Sequence, residues 1–221
     1  EGEYLNGKRN GKGKEYYLNG KLSFEGEYLN GKKNGKGKIY NRKGKLIFEG
    51  EYLNGKRWNV KGYNISNNID FELKNGNGKI KGYNDYGELT FEGECLNGEI
   101  NGKGKKYYRY GEILEFEGEY LKGKRHGNCK EYNYDGKLKF EGEYLYGNKW
   151  NGRYYDGLGN IVSELKNGKG FIKEFDRNGK ISFEGEYLNG ERNGKGKEYD
   201  SGKLIFEGEY LNGKRWNGKG K

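Results

Sequence analysis

The residues of this chain that could do chemistry are recurring carboxylates. Glu-Gly-Glu appears in unit after unit, and a pair of carboxylates at a fixed separation is what a glycoside hydrolase uses. Lys-Gly-Lys segments accompany these pairs, so the same residues also suit a ladder of solvated opposite charges. Because the pattern recurs along the whole chain and no copy stands out, we predict a charge ladder, no catalytic residues and no enzyme activity.

Few residues of the chain are suited to binding metals or cofactors. Cys95 and Cys129 are too few for a disulfide framework or a four-ligand zinc site. His126, the only histidine, stands where other units have Asn before a glycine, which favours a surface turn residue over a ligand. Gly-Lys-Gly-Lys lacks the strand, loop and helix of a phosphate loop. We predict no metal, no cofactor, no small-molecule substrate and no bridge between the cysteines.

Composition restricts the possible folds. Only 31% of the 221 residues are hydrophobic, whereas 43 are glycine, 22 are tyrosine and none is proline. So few aliphatic side chains argue against a conventional two-layer core, and so much glycine disfavours long helices. A net charge of +10 with 34% charged residues would also fit a disordered chain, so periodicity has to decide. No window has the roughly 18 apolar residues of a membrane span.

The sequence repeats every 21 to 25 residues, which argues against disorder. Ten units begin at Glu-Gly-Glu or its eroded equivalent, and the steps 24, 24, 21, 22 are followed by 25, 24, 21, 22 and 23. This second period indicates duplicated blocks of four units. We predict one repeat array over residues 1–221, with blocks at 1–91 and 92–183 and a partial block at 184–221. Since the chain has no initiator Met, we expect it to be part of a longer protein.

Asn-Gly between alternating residues is the strongest short signal for a β-hairpin with a type I′ turn. Pairing outward from the Asn30-Gly31 turn sets Gly26 opposite Gly35. Similar turns recur throughout the array. The sequence therefore predicts an all-β fold, an elongated single-layer antiparallel β-meander of about ten hairpin repeats.

Alternation along the strands gives the predicted sheet two unlike faces. One carries Phe24 and Tyr28 over glycines of neighbouring strands, which leave room for the rings. The other carries glutamates beside cross-strand lysines, where we expect opposite-charge pairs. A tryptophan such as Trp58 is interpreted as an additional residue that forms a β-bulge. In the two eroded units we expect a bend around an aliphatic plug, made of Ile69, Leu73, Ile80, Ile161, Leu165 and Ile172.

Two surfaces of the predicted sheet are candidates for binding. A single sheet cannot bury both faces, so the aromatic face is a candidate for partner contact unless its own packing suffices. Its residues are Phe24, Tyr28, Phe48, Tyr52, Phe116, Tyr120, Phe140, Tyr144, Phe183 and Tyr187. A basic pair follows the same turn in successive units, and this edge either contacts anions or protects the sheet edge and solubility. Its residues are Lys8, Arg9, Lys32, Lys33, Lys56, Arg57, Lys124, Arg125, Lys214 and Arg215.

The pattern Phe-Glu-Gly-Glu-Tyr-x-Asn-Gly-Lys-x-Asn-Gly-x-Gly resembles the membrane occupation and recognition nexus (MORN) repeat over essentially the whole chain. Eight of the ten units hold Glu-Gly-Glu, while the two eroded units and Cys95, which replaces a tyrosine, depart from the pattern. The resemblance implies hairpin rods that act as scaffolds, dimerising modules or peptide-binding grooves, and it implies no chemistry.

Three functions are consistent with these features. The leading hypothesis is a non-enzymatic scaffold that presents multiple weak contacts to a protein partner or to its own copy. The first alternative is peripheral binding to anionic phospholipid membranes through the basic edge, and the second is binding of cell-surface glycans. Interleaved glutamates argue against nucleic acid as a partner, because tracking of phosphates requires a contiguous positive stripe. We expect a cytoplasmic or peripheral membrane location.

Overall fold

The computed structural model describes residues 1–108, 113–176 and 178–220. The fold is all-β, and these residues contain no helix. The chain divides into two compact units, Glu1–Glu112 and Ile113–Lys221. Every pair of neighbouring strands described within a unit is antiparallel, so the prediction of an all-β antiparallel meander is confirmed.

In the first unit, the described residues form ten strands that pair in chain order. They are β1 (Gly2–Leu5), β2 (Lys8–Tyr16), β3 (Leu22–Leu29), β4 (Lys32–Tyr40), β5 (Leu46–Leu53), β6 (Lys56–Tyr63), β7 (Ile69–Lys74), β8 (Asn77–Tyr83), β9 (Leu89–Leu96) and β10 (Glu99–Tyr107).

The second unit has two sets of strands, β11 to β15 and β16 to β20, and each set pairs in chain order. They are β11 (Leu114–Leu121), β12 (Lys124–Tyr132), β13 (Leu138–Leu145), β14 (Asn148–Tyr155), β15 (Ile161–Leu165), β16 (Gly170–Phe175), β17 (Ile181–Leu188), β18 (Glu191–Asp200), β19 (Lys203–Leu211) and β20 (Lys214–Gly220). A single bridge between Lys166 and Lys169 lies between β15 and β16.

The Asn-Gly turns have the backbone conformation that the sequence predicts. Asn30 has φ of 51° and Gly31 has φ of 82°, and a type I′ turn needs positive φ at both positions. The loop between β2 and β3 is different. There only Gly20 has positive φ, and the Asn19 side chain accepts a hydrogen bond from the Lys21 amide at 3.1 Å.

The predicted register between β3 and β4 is correct next to the turn, where Tyr28 lies opposite Lys33. Farther from the turn it is wrong by two residues. Gly26 lies opposite Gly37 and not opposite Gly35. The cause is a bulge in which residues 34–36 lie opposite Glu27 alone, with φ of 90° at Gly35. Since side chains alternate with a period of two, a displacement of two residues leaves every side chain on its predicted face.

The tryptophan units contain a smaller bulge. Trp58 is the one unpaired residue between the Tyr52–Arg57 pair and the Glu51–Asn59 pair. The bulge predicted at tryptophan is confirmed. Its interpretation as one residue more than in other units is wrong, because the bulge in β4 has two residues more than its partner strand and the bulge at Trp58 has only one more.

The aliphatic plug of the eroded units is partly as expected. Four of its members are buried, namely Leu73, Ile80, Leu165 and Ile172. Ile69 and Ile161 are each 51% exposed, so their inclusion in the plug is wrong. Each of these two is the first residue of its strand and follows a loop, which leaves its side chain open to solvent. The expected bend stays a prediction.

Aromatic rings and glycines form the core together. The Phe24 side chain is 1% exposed, and its ring makes edge-to-face contacts with Tyr28 and Tyr52 at 5.5 and 5.8 Å between centroids. A Cβ atom added to Gly37 would lie 2.8 Å from the Phe24 ring. Glycine is therefore required there to make room for the ring.

The two cysteines are buried and unbridged, as predicted. Cys129 lies opposite Gly118, in a position that glycine occupies in other units. Burial raises the pKa of its thiol to about 12 and also raises the pKa of the Cys95 thiol. Both side chains therefore act as small apolar residues at neutral pH.

Replacing Gly26 with Val should lower the free energy of unfolding by about 1–3 kcal/mol through overpacking. A Cβ atom at this position would lie 2.6 Å from the Lys36 carbonyl oxygen and 2.7 Å from both the Gly37 Cα and the Phe24 ring. Urea titration followed by tyrosine fluorescence would measure the change.

The matched control is Gly157→Ala, because a Cβ atom at Gly157 meets no atom within 4 Å and the residue has no positive φ. This variant should unfold within about 0.5 kcal/mol of the parent chain. Equal losses in the two variants would contradict the role of Gly26 in ring packing.

Candidate functional site

The aromatic face is occupied by its own packing. Eight of the ten side chains that the sequence places there are buried, and Tyr120 and Tyr187 are partly buried against the same clusters. Very little ring surface is left for a partner in this conformation. A partner on this face would contact mainly the polar groups that cover the rings.

A polar cluster covers the Phe24 ring. The Tyr28 hydroxyl donates a hydrogen bond to Glu15 Oε1 at 2.8 Å, and Arg9 Nη1 donates to the same oxygen at 2.5 Å. Lys33 Nζ lies 3.1 Å from Glu15 Oε2 and 3.8 Å from the centre of the Phe24 ring. The cluster thus combines a hydroxyl, a carboxylate and two cations above one ring.

The electrostatics of this cluster keep the carboxyl group ionised. Burial opposes the ionisation of Glu15, but hydrogen bonds from Tyr28 and Lys33 outweigh it and lower the pKa of the carboxyl group. Burial and the hydrogen bond to Glu15 raise the pKa of the Tyr28 hydroxyl to about 12. Neither group is poised to exchange protons near neutral pH, as a general acid or base would be.

Similar clusters recur around Glu131, Glu174 and Glu198. Glu131 accepts hydrogen bonds from the Tyr144 hydroxyl and from Arg125 Nη1, the latter at 2.7 Å, and Lys149 Nζ lies 2.8 Å from its other oxygen. Burial raises the pKa of Glu131, but the charge and hydrogen bond of Lys149 and the hydrogen bond from Tyr144 more than compensate, so the pKa is lowered.

The structure separates the two members of each basic pair. The first members are exposed, namely Lys8, Lys32, Lys56, Lys124 and Lys214. The second members lie against aromatic rings, namely Arg9, Lys33, Arg57, Arg125 and Arg215. Arg125, for example, has its guanidinium carbon 4.0 Å from the centre of the Phe116 ring. Anion contact by this edge stays a prediction, and it now concerns a row of single exposed lysines.

The charged face of the first unit holds an open groove of about 1000 Å³ that extends from β1 to β7. The backbone of Gly2, Gly13, Gly26, Gly37, Gly50, Val60 and Leu73 lines its floor. Side chains on one side of this row are Lys14, Glu25, Lys38, Glu49, Lys61 and Glu72. Those on the other side are Lys12, Glu27, Lys36, Glu51, Asn59 and Lys74.

The lysines and glutamates that were expected to pair lie opposite each other in the groove but form no ion pairs. Lys14 lies opposite Glu25 in the β2–β3 register. Within the described residues, however, no lysine of the groove has a carboxylate oxygen within 4.0 Å. The Tyr40 hydroxyl instead donates to Glu25 at 2.7 Å, and the Tyr63 hydroxyl donates to Glu49. The ammonium groups of the groove are therefore free to contact another molecule.

Comparison with known families agrees with this architecture. The family model of the MORN repeat matches residues 1–21, 24–45, 91–111 and 183–203, and that of the MORN repeat variant matches residues 125–146 and 172–189. Together the matches cover more than half of the chain. The chain is a MORN repeat protein. A search of curated proteins finds no match to it.

MORN repeats form a non-catalytic family of repeat modules. In the part of this MORN array that the structure describes, no three His, Cys, Asp or Glu side chains come together to hold a metal ion. Across the same residues, no helix is long and apolar enough to cross a membrane.

Sequence reasoning missed the polar clusters of the MORN array and the stacking of its turns. The signal for the polar clusters was a recurring Lys-Glu-Tyr triplet, present at Glu15, Glu131 and Glu198. The asparagine that follows the basic pairs Lys8-Arg9 and Lys32-Lys33 was the signal for the stacking of turns, since Asn34 accepts a hydrogen bond from the Asn54 amide in the next turn at 3.0 Å. His126 plays the same part for the Tyr146 amide at 3.4 Å, as a turn residue and not as a ligand.

Replacing Glu131 with Gln should destabilise the protein by about 1–3 kcal/mol at neutral pH, because Lys149 would lose its counter-charge and Arg125 would keep only Glu115, at 3.7 Å. The folded-state pKa of Glu131 lies below its ordinary value of 4.5. Its contribution is therefore present above about pH 4.5 and is lost as the pH falls through the folded-state pKa. Urea denaturation at a series of acidic and neutral pH values would show a shallower pH dependence in the variant.

Glu141→Gln is the matched control, because Glu141 is 46% exposed and pairs with Lys130 at 3.2 Å on the surface. It should cost less than about 1 kcal/mol. An unchanged pH dependence in Glu131→Gln would contradict the assignment of an ionised buried Glu131.

Proposed function

We propose that this MORN repeat protein is a non-enzymatic scaffold whose charged-face groove binds an extended segment of a protein partner. The observation that carries the proposal is the groove itself, whose floor is glycine from β1 to β5 and lies between two rows of mainly charged side chains. Glycine allows the backbone of a bound segment to approach closely. The rows on both sides supply contacts to side chains of the segment.

The spacing of the charges favours an extended segment. Adjacent strands lie about 4.8 Å apart, so like charges recur about every 9.6 Å from β2 to β5 in both rows, which matches three residues of an extended chain at about 3.3 Å each. The distance from β1 to β7 is about 29 Å on the same spacing, enough for about nine residues. The preferred segment therefore carries acidic and basic residues with a period of three.

The free ammonium groups favour binding on this face. Lys12, Lys14, Lys36 and Lys38 have no ion-pair partner among the described residues, so a ligand need not break existing pairs to reach them. Each contact is exposed and is worth at most about 1 kcal/mol. Several such contacts along the groove, repeated in a longer array, give useful affinity through multivalency.

The test uses a synthetic peptide of about 12 residues in which Glu and Lys each recur every third position. Fluorescence anisotropy of the labelled peptide should show saturable binding to the full chain. The double charge reversal Lys36→Glu with Lys38→Glu should weaken it at least ~10-fold, since two attractive contacts become repulsive. A peptide of the same composition with a period of seven, which suits a helix, should bind more weakly.

The matched control is Lys8→Glu with Lys32→Glu, which changes the net charge equally but alters only the exposed turn edge. Its peptide binding should equal that of the parent chain. Loss of binding in this control with retention in the groove variant would contradict the proposal. Flotation of the same two variants with vesicles of anionic phospholipid tests the alternative, because membrane binding through the edge predicts loss in the control variant alone.

A further inference from the structure

Arg57 differs from the other arginines of the aromatic face because no carboxylate accompanies it. Its guanidinium carbon lies 3.8 Å from the centre of the Phe48 ring, and the residue is half-buried. Among the described residues, no Asp or Glu oxygen lies within 4.0 Å of it. A half-buried guanidinium that lies against an aromatic ring loses part of its hydration, and here no counter-charge compensates that loss.

Equivalent cations in the array do have carboxylate partners. Arg9 pairs with Glu15 at 2.5 Å and Arg125 pairs with Glu131 at 2.7 Å. In the matching tryptophan unit of the second block, Lys149 stands where Arg57 does and pairs with Glu131 at 2.8 Å. The cation is retained in the first block and its carboxylate is missing.

Two substitutions remove the carboxylate around Arg57. The residue that corresponds to Glu15 and Glu131 in the preceding strand is Ile39, which lies opposite Phe48. In the strand of Arg57 itself, the corresponding residue is Gly62. Phe48, against which Arg57 lies, belongs to an apolar cluster that includes Phe71, Leu73, Ile80 and Cys95. The nearby Glu99 is engaged by Lys56 at 3.0 Å.

The Tyr52 hydroxyl at the same place is an unsatisfied hydrogen-bond donor. Tyr52 lies directly opposite Arg57, and its hydroxyl is buried without a hydrogen-bond partner. The guanidinium is close enough to affect its pKa but only donates hydrogen bonds, so the hydroxyl proton has no acceptor. In the complete clusters, the matching hydroxyls of Tyr28 and Tyr144 donate to the carboxylate.

We propose that Arg57 and Tyr52 form a binding site for a carboxylate that another molecule supplies. The bound carboxylate takes the place of the one that Glu15 and Glu131 provide elsewhere, and it accepts hydrogen bonds from the guanidinium and from the hydroxyl. The group comes from an acidic residue of a partner or from a free small carboxylate. This proposal concerns the aromatic face and does not depend on the groove of the charged face.

The surroundings favour a carboxylate over a phosphate. Arg57 supplies one positive charge, and the Phe48 ring against which it lies belongs to an apolar cluster. A monoanion neutralises this charge, whereas a phosphate dianion would leave a net charge beside apolar groups. Burial lowers the pKa of Arg57, which is consistent with a guanidinium that gains from a counter-ion.

The first experiment is a titration of the ¹⁵N-labelled full chain with sodium acetate at constant ionic strength, followed through the arginine Nε–Hε resonances. The Arg57 resonance should shift and saturate, and inorganic phosphate should not reproduce the shift. Arg125, which already has its carboxylate, is the internal control and should not saturate. No saturable shift at Arg57, or equal shifts at Arg57 and Arg125, would overturn the proposal.

The second experiment supplies the carboxylate within the chain. Ile39→Glu places it where Glu15 lies in its own cluster, so acetate should bind at least ~10-fold more weakly because both donors are occupied. The melting temperature of this variant should also rise relative to the parent chain. Undiminished acetate binding in a folded Ile39→Glu variant would show that the anion lies elsewhere.

A short capped peptide with one central Glu distinguishes the two sources of the carboxylate. Binding of the peptide at least ~10-fold tighter than acetate would assign the site to an acidic residue of a partner, because further contacts would have to contribute. Acetate binding without peptide binding would assign it to a free small carboxylate. Absence of both would overturn the site.

Discussion

The structure depends on the space that glycine leaves for an aromatic ring. A single layer of strands has no second layer to cover it, so its core has to form from side chains that lie along the sheet surface. The Phe24 ring lies over Gly37 of the neighbouring strand, and Tyr52 of the following hairpin contacts its edge. The side chains of each repeat thus cover the adjacent repeat, and each repeat is stabilised mainly by contacts with its nearest neighbours.

The polar clusters follow from the same packing. A tyrosine that lies over a neighbouring strand brings its hydroxyl into a poorly solvated position, where the hydroxyl needs an acceptor. Glu131 provides the acceptor for Tyr144, and Arg125 and Lys149 then compensate the buried carboxylate while they cover the Phe116 and Phe140 rings. Ring, hydroxyl, carboxylate and cation therefore depend on one another. Where Ile39 replaces the carboxylate, Arg57 has no counter-charge within 4.0 Å among the described residues and the buried Tyr52 hydroxyl has no hydrogen-bond partner.

Much of the fold could be predicted from the sequence because the turn signals and the alternation of side chains are local. Asn30-Gly31 determined a hairpin, and the assignment of Phe24 and Glu25 to opposite faces survived an error of two residues in register. The error arose at Gly35, because a glycine in a strand pattern does not indicate by itself how many residues bulge. The groove and the polar clusters could not be predicted from pairing alone, since they depend on how side chains such as Glu15, Tyr28 and Lys33 meet across three strands.

The two faces of the sheet contribute differently: the aromatic face stabilises the fold, and the charged face stays exposed to solvent. On the aromatic face, rings, hydroxyls and the second members of the basic pairs stabilise the sheet. Substitutions there therefore lower the free energy of unfolding. The charged face contributes little to folding, because an exposed lysine–glutamate pair such as Lys197–Glu207, at 3.6 Å, is worth at most about 1 kcal/mol. Exchanging such a pair for a contact with a partner therefore costs almost nothing. In the first unit, the lysines of the groove form no ion pairs among the described residues, so no pair has to be broken. A repeat protein built in this way can vary its surface charges without losing its fold.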